Sequence, residues 1–315
     1  MGIFDTIFNI VLYRPLGFLL SLAYAIVPNY GIALLIFSIF IRLILFPTNI
    51  STQKGLAKNA RMQAKVEKIK KKYATNKQRQ QEEINNLYQR EGFNPLSGGC
   101  LPTLIQFPII LALYQVVYRP FTYIAYAPSS VIDAAKTALQ ALNIDGVANM
   151  LKSSTQAELA IFRYYDSIKD SVPELAQYYD RLGDRFFNFL GLDLSVTPNI
   201  GEINVIWLIP ILAGLTSLLL GVLQMMKQKK QNPEATKSMG CVTYTMPLIS
   251  IIFAFSMPAA VGFYWTCSNV AMLLQNYITN KLFPPEDMLG KLLITETIER
   301  RSKEKMRKLR IKASD

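Results

Sequence analysis

The longest stretch of this sequence without a charged residue runs from Ser238 to Asn280 and contains 43 residues. A helix needs about 20 apolar residues to cross the hydrocarbon core of a bilayer. The stretch is therefore too long for one crossing and suits two. Met257-Pro258 near its middle predicts the break, because proline cannot continue a helix. The sequence thus predicts a chain that crosses a membrane more than once.

Three more charge-free runs occupy 15–41, 92–118 and 203–226. Together with the long stretch they predict an all-α, polytopic membrane protein with five transmembrane helices. We place the spans at 30–50, 99–120, 204–226, 242–257 and 259–281.

Residues 8–27 are also apolar, but Arg14-Pro15 interrupts this run early, and Pro28 follows it. We expect an interfacial N-terminal helix that lies on the membrane surface. A cleaved signal peptide is the alternative. Such a peptide begins with basic residues, whereas Asp5 occupies that region here.

The composition limits the chemistry of this chain. Hydrophobic residues make up 51% of the sequence and the mean hydropathy is +0.21, which excludes a disordered chain. Three cysteines cannot hold together a disulfide scaffold of 315 residues. The absence of histidine excludes Ser-His and Cys-His nucleophile pairs and the usual zinc sites. We therefore expect no catalytic residue, no metal and no cofactor, and we do not expect an enzyme.

Charge is distributed unevenly between the predicted spans. Residues 51–93 carry 11 Lys and Arg against 4 acidic residues, 227–241 carry 4 against 1, and 281–315 carry 10 against 6. Residues 123–202 carry 6 against 10. Because basic loops stay in the cytoplasm, the three basic regions are expected inside and 123–202 outside. The N-terminus is then outside and the C-terminus is cytoplasmic.

The basic region at 52–92 shows apolar residues at helical spacing on either side of Ala74-Thr75-Asn76-Lys77. These residues are Met62, Val66, Ile69, Tyr73, Ile84, Leu87 and Tyr88. The pattern predicts a cytoplasmic helical hairpin with a thin apolar seam, and we expect it to be mobile. A solvated basic loop is the alternative.

The outer region is unusually long for a loop, and its pattern predicts helices at 130–143, 157–168 and 173–190. We expect Phe186-Phe187-Asn188-Phe189 to lie on the membrane and assign the region no chemistry. The chain thus divides into an interfacial segment, the first two spans with the hairpin, an outer helical insertion, the last three spans and a basic tail. Their bounds are 1–28, 29–124, 125–202, 203–281 and 282–315.

The tail concentrates positive charge, with eight Lys and Arg between Arg300 and Lys312 and only Glu304 opposing them. Such runs bind anionic lipid or the phosphates of RNA. A solvated tail is the alternative. The candidate contact residues are Arg300, Arg301, Lys303, Lys305, Arg307, Lys308, Arg310 and Lys312.

Arg42 lies inside the first predicted span. An arginine near the bilayer centre costs about 2.5–3.5 kcal/mol on insertion scales, so its presence predicts a hydrated cavity. Snorkelling to the membrane surface is the alternative. Other polar or aromatic groups in the spans could line the same cavity or pair helices with each other. They are Ser38, Gln106, Thr216, Ser217, Tyr264, Trp265, Ser268, Asn269 and Gln275.

Four stretches together resemble the YidC/Oxa family of membrane protein insertases. The first runs from Asn29-Tyr30-Gly31 through Arg42 to Pro47, and the most specific is Asn94–Pro102 followed by Leu104–Ile109. The others are Asp193–Ser195 with Leu208–Leu212, and Met257-Pro258 with Gly262–Trp265 and Ser268-Asn269.

The resemblance implies a positively charged groove that is open to the cytoplasm and to lipid and closed toward the outside. It implies that Arg42 is the groove arginine and that Tyr264 and Trp265 are the aromatic pair near the substrate path. Some relatives have a glutamine late in the third span, where Leu220-Gly221 stand here. The candidate groove residues are Arg42, Ser38, Gln106, Thr216, Tyr264, Trp265 and Ser268.

The function implied by the resemblance is membrane protein insertion in a bacterial plasma membrane of Gram-positive type, without hydrolysis. The expected partners are nascent membrane proteins, the ribosome and anionic lipids through the basic tail and hairpin, and the Sec translocase. One alternative is a small-anion transporter that uses Arg42, although no internal repeat is visible between 30–120 and 204–281. The other is a passive membrane anchor for ribosomes, which would not need Arg42.

Overall fold

The computed structural model describes residues 3–92, 101–152, 156–231, 245 and 247–314. The described residues form two compact units. The first is drawn from 1–43, 105–226 and 237–272, and the second from 44–104, 227–236 and 273–315. Helices dominate both units, which confirms the all-α expectation.

The N-terminal segment is helical on both sides of Arg14-Pro15. Helix α1 (Ile3–Phe8) leads into a π-helical turn at Asn9–Tyr13 and then into α2 (Arg14–Ile26). In the wider π-helical turn, the Arg14 backbone N–H donates to the Asn9 carbonyl. Pro15 lies in the first turn of α2, a position that tolerates a residue without a backbone N–H. Arg14-Pro15 therefore interrupts the apolar run of the sequence but not the helix.

The predicted spans correspond to helices of the structure. The described bounds are α3 at Tyr30–Ile44, α6 at Leu101–Tyr118, α13 at Leu208–Gln231, α14 at Pro247–Ser256 and α15 at Ala259–Leu282. The predicted break at Met257-Pro258 is confirmed, since neither residue is helical.

Length and composition give a stricter measure of which described helices could cross a membrane. Thr6–Ile26 and Val205–Met226 both qualify. Tyr30–Ile44 and Phe46–Gly55 would form a third span if they were one broken helix. The predicted span at 30–50 is interrupted at Leu45, because a new helix begins at Phe46 with Pro47 in its first turn.

The outer region is mainly a set of short helices. They are α7 (Pro120–Tyr123), α8 (Ser129–Ala141), α9 (Val147–Lys152), α10 (Ala157–Arg163), α11 (Tyr165–Ile168) and α12 (Ala176–Leu182), with a 3₁₀ turn at Pro173–Leu175. The predicted helix at 173–190 is wrong beyond Leu182, because Gly183 takes φ +79° and ends α12. An antiparallel hairpin follows, formed by β1 (Asn188–Phe189) and β2 (Leu192–Asp193).

Aromatic side chains bind this outer region to the start of α3. The ring centroids of Phe186 and Phe187 lie 4.4 and 5.2 Å from that of Tyr30, and all three side chains are buried. The expectation that Phe186 and Phe187 lie on the membrane is therefore wrong, because they form part of the protein core. A turn rather than a helix at this point directs both rings inward.

A buried carboxylate joins the outer helices to the end of the second predicted span. Glu158 of α10 accepts hydrogen bonds from the Thr122 backbone N–H at 3.0 Å and from the Thr122 hydroxyl at 2.5 Å. Burial raises the pKa of Glu158, and these bonds together with nearby Arg119 lower it in part. The polar contact stabilises α10 against α7 in an otherwise apolar setting.

The second unit contains the predicted hairpin, formed by α4 (Phe46–Lys72) and α5 (Lys77–Arg90). Met62, Val66 and Ile84 are buried in its seam, against which Ile69, Leu87 and Tyr88 pack, so the predicted apolar seam is confirmed. Asn76 caps α5 by accepting the Arg79 backbone N–H. The long basic helix α16 (Pro285–Ser314) packs along α4.

Candidate functional site

Arg42 lies in the last turn of α3 and is 8% exposed. Its guanidinium donates a hydrogen bond of 2.6 Å to the hydroxyl of Ser268 on α15. A helix C-terminus carries partial negative charge, which favours a cation in its last turn. The α3 backbone and a neutral hydroxyl therefore both help to hold this positive charge in place.

The residue next to Ser268 connects the same place to α13. The Asn269 side-chain amide donates to the hydroxyls of Thr216 and Ser217 at 3.1 and 2.8 Å. Asn269 is buried, so these bonds satisfy polar groups that would otherwise be costly inside an apolar helix pair. Arg42, Ser268, Asn269, Thr216 and Ser217 form one connected set, called here the polar cluster.

The polar cluster contains one cationic side chain, that of Arg42. Neither α3, α13 nor α15 contains an Asp or Glu. A charge in surroundings of low dielectric acts more strongly on other charges than one in water. The positive charge of Arg42 therefore acts more strongly on a nearby charged group than it would in water.

Tyr264 lies one helical turn before Ser268 on α15 and is fully buried. Its ring centroid is 5.9 Å from that of Phe37 on α3. Trp265 turns the other way, with its ring centroid 6.5 Å from that of Phe253 on α14. The two predicted aromatic residues therefore pack on different helices.

The remaining predicted residues are dispersed. Ser38 is buried one turn before Arg42, but its hydroxyl donates to the Leu34 carbonyl of its own helix at 2.7 Å. Gln275 is buried in the part of α15 that belongs to the second unit. The Gln106 side chain lies outside the described residues, as do those of Arg307, Lys308, Arg310 and Lys312. In the described part of the tail, Arg300, Arg301, Lys303 and Lys305 are exposed.

A second set of polar contacts, absent from the sequence predictions, joins α4 to α15 inside the second unit. Asn49 donates to Asn276 at 3.2 Å, and Gln53 donates to Asn280 at 3.1 Å. Each helix presents its two amides four residues apart, which places them on one face. That matched spacing could have indicated the pairing from the sequence.

The β-hairpin covers the N-terminal ends of α3 and α15. The Phe189 ring packs on Gly31, where an added Cβ would lie 2.3 Å from the ring, and its centroid is 5.0 Å from that of Phe263. The first backbone N–H groups of α15, at Ala259 and Ala260, donate to the carbonyls of Val196 and Leu194. The hairpin and the segment that follows β2 thus cover the N-terminal ends of the two helices that carry Arg42 and Ser268.

Comparison with known proteins gives consistent similarities. The profile of the family described as "60Kd inner membrane protein" matches residues 22–286. Proteins named "Membrane protein insertase YidC" are similar over most of this chain. The one from Treponema denticola is 28% identical over 86% of this chain and 37% of its own length. The one from Oceanobacillus iheyensis is 27% identical over 88% of this chain and 85% of its own. The one from Rickettsia akari is 26% identical over 86% and 39%. The chain thus spans less than half the length of two of these relatives and most of the third.

Proposed function

The chain belongs to the 60Kd inner membrane protein family, which comprises the YidC/Oxa proteins, and from that membership we propose that it inserts other proteins into the membrane. The observation that carries the proposal is the buried Arg42 in hydrogen-bond contact with Ser268. The helical architecture and apolar segments are those of a multi-pass membrane protein. The similarity to the Oceanobacillus relative supports a Gram-positive-type source.

The mechanism that we propose uses one positive charge and several neutral polar groups. Arg42 attracts the acidic residues of an incoming segment, and the hydroxyls and amide of the polar cluster offer it hydrogen bonds in place of water. The apolar part of the substrate then partitions into lipid, and this transfer supplies the driving free energy without hydrolysis. The partners are nascent membrane proteins.

The test of this proposal is reconstitution of the purified chain in vesicles. A small membrane protein with an acidic translocated tail should insert into vesicles that contain the chain and should not insert into empty ones. Protease protection of the tail measures insertion. Efflux of a small anion from the same vesicles without any protein insertion would instead identify a transporter.

The orientation with the N-terminus and 123–202 outside remains part of the proposal. Residues of the N-terminal helix contact the outer region along its length. Tyr123 donates to Asn9 at 3.3 Å, Ser21 is 2.9 Å from the Tyr126 hydroxyl, and Tyr24 donates to the Leu182 carbonyl. Asn9 and Tyr24 are about 22 Å apart along a helix. A helix that meets the outer region over this distance is better suited to lie on the membrane surface than to cross it.

Cysteine labelling tests this topology. With the native cysteines replaced, a cysteine at Lys71 or Lys305 should react only after the inner face of sealed vesicles is opened. A cysteine at Asp166 should react from outside, because Asp166 is exposed on α11 in the acidic outer region. Labelling of Asp166→Cys from the inner face alone would reverse the proposed orientation.

We also propose that the tail contacts the ribosome and anionic lipid, with the Sec translocase as a further partner. Replacing Arg301, Lys303 and Lys305 by glutamine removes three exposed cations while keeping good helix formers. This variant should co-sediment more weakly with ribosomes at low salt, and the salt dependence should become shallower. Equal sedimentation of both proteins across a salt series would show that the tail is only solvated.

A further inference from the structure

Four aliphatic side chains on the outer side of the first unit are exposed to an unusual degree. Leu190 and Ile203 are 85% exposed, and Ile200 and Val205 are 71% exposed. We call these four residues the outer apolar edge. Single exposed aliphatic residues are common on proteins, but four of them within 16 positions form a surface that needs an explanation.

Leu190 is unfavourable in water for a second reason. It occupies the turn between β1 and β2 with φ +52°, and Gly191 after it has φ +81°. Two-residue hairpin turns of this kind favour Asn, Asp or Gly, because a leucine side chain crowds the backbone at positive φ. The Asn188 side chain stabilises the turn by accepting the Gly191 backbone N–H at 3.2 Å. The turn thus holds Leu190 at a positive φ that leucine disfavours, and it leaves the apolar side chain exposed.

The location of the edge indicates what covers it. Phe189, next to Leu190, packs on Gly31 at the start of α3 and against Phe263 near the start of α15. Strand β2 packs against the 3₁₀ turn Val205–Trp207, which leads directly into α13. The edge therefore lies where three helices assigned to the membrane begin, and Val205 itself starts the apolar segment Val205–Met226.

The neighbouring polar groups fit a membrane–water boundary. The indole of Trp207 donates to the Asn199 carbonyl at 2.9 Å while its ring packs against Phe255 at 5.0 Å, so one end is polar and the other apolar. Tryptophan is enriched at such boundaries. The carboxylates of Asp193 and Glu202 are exposed beside the edge, which limits the depth to which it can enter lipid.

We propose that the outer apolar edge inserts into the outer leaflet of the bilayer and anchors the β-hairpin there. The occupant is the upper acyl region of phospholipid, because the edge continues an apolar membrane-spanning segment and carries no charge of its own. Lipid contact at Leu190 holds the neighbouring Phe189 over the outer ends of α3 and α15. This inference rests on the proposed orientation with 123–202 outside, and it does not depend on whether the chain inserts other proteins.

Fluorescence in reconstituted full-length protein tests the anchor. With Cys100, Cys241 and Cys267 replaced by serine, an environment-sensitive NBD probe is attached at Leu190→Cys or Ile203→Cys. Asp166→Cys is the matched control on the same side of the protein. In vesicles of phosphatidylglycerol and phosphatidylethanolamine, the two edge positions should emit at shorter wavelength than the control. A nitroxide near the top of the lipid acyl chain should reduce their emission at least about twofold and leave the control unchanged.

Each outcome decides the question. Quenching at both edge positions supports the lipid anchor whether or not the labelled protein inserts substrates. Emission equal to that at Asp166 would show that the edge faces water and would overturn the proposal. A shift to shorter wavelength without lipid quenching would also overturn it, because the edge would then be covered by protein, such as a second copy of the chain.

Discussion

Replacing Gly31 by alanine is expected to destabilise the first unit by about 1–3 kcal/mol, the usual cost of forcing extra volume into a packed site. A Cβ at Gly31 would lie 2.3 Å from Cγ and Cδ2 of Phe189 and 2.9 Å from its Cβ. An aromatic ring that also packs against Phe263 cannot move aside freely. Thermal unfolding of the detergent-solubilised protein measures the effect.

A double-mutant cycle identifies the cause. If the Phe189 ring is what Gly31 accommodates, Gly31→Ala should cost much less when Phe189 is already alanine. Gly290→Ala on α16 is the control, because a Cβ there meets nothing within 4 Å. That substitution should be neutral or stabilise by about 0.5–1 kcal/mol, since alanine favours a helix interior over glycine. An equal cost of Gly31→Ala in both backgrounds would contradict the proposed contact.

Local patterns in the sequence were sufficient for much of the fold. The break at Met257-Pro258 follows from proline chemistry, and the seam of Met62, Val66 and Ile84 follows from helical spacing on either side of a polar turn. Both depend on residues close together in the chain. The all-α membrane class follows from the charge-free runs, whose length and apolar composition can be read directly from the sequence.

The burial of Phe186 and Phe187 and the course of the N-terminal helix could not be predicted from local sequence patterns. Phe186 and Phe187 resemble an apolar patch for a membrane, yet they are buried beside Tyr30, which is more than 150 positions earlier. The continuity of the N-terminal helix past Arg14-Pro15 depends on a π-helical turn, for which periodicity gives no signal. In the first case long-range packing decides where the side chains lie, and in the second a local backbone irregularity keeps the helix continuous.

The polar cluster was predictable in part: the sequence indicated its residues but not the contacts between them. The sequence identified Arg42, Ser268 and Thr216 singly, because polar residues in apolar spans are conspicuous. It did not show that Arg42 binds Ser268, or that Asn269 connects the same turn of α15 to Thr216 and Ser217. Pairing across helices depends on their relative rotation, which hydrophobic patterns constrain only weakly.

Replacing Arg42 by alanine is expected to reduce insertion of a substrate with an acidic translocated tail by at least about tenfold, which corresponds to about 1.4 kcal/mol. Arg42→Lys should retain much of the activity because it keeps the positive charge, although it loses the planar set of donors. Ser268→Ala is the matched control. It removes the acceptor of the 2.6 Å hydrogen bond and leaves the charge in place, so it should also retain activity.

The substrate provides a second control on the same experiment. A variant of the substrate whose acidic tail residues are changed to Asn and Gln should insert almost equally well with Arg42 and with alanine at this position, because the attraction acts only on negative charge. Unfolding measurements on Arg42→Ala should show stability equal to or greater than that of the unaltered protein, since a costly buried cation is removed. Normal insertion of the acidic substrate by Arg42→Ala would rule out charge attraction as the mechanism. Loss of folding in Arg42→Ala, with both substrates failing equally, would instead assign Arg42 a structural role in joining α3 to α15.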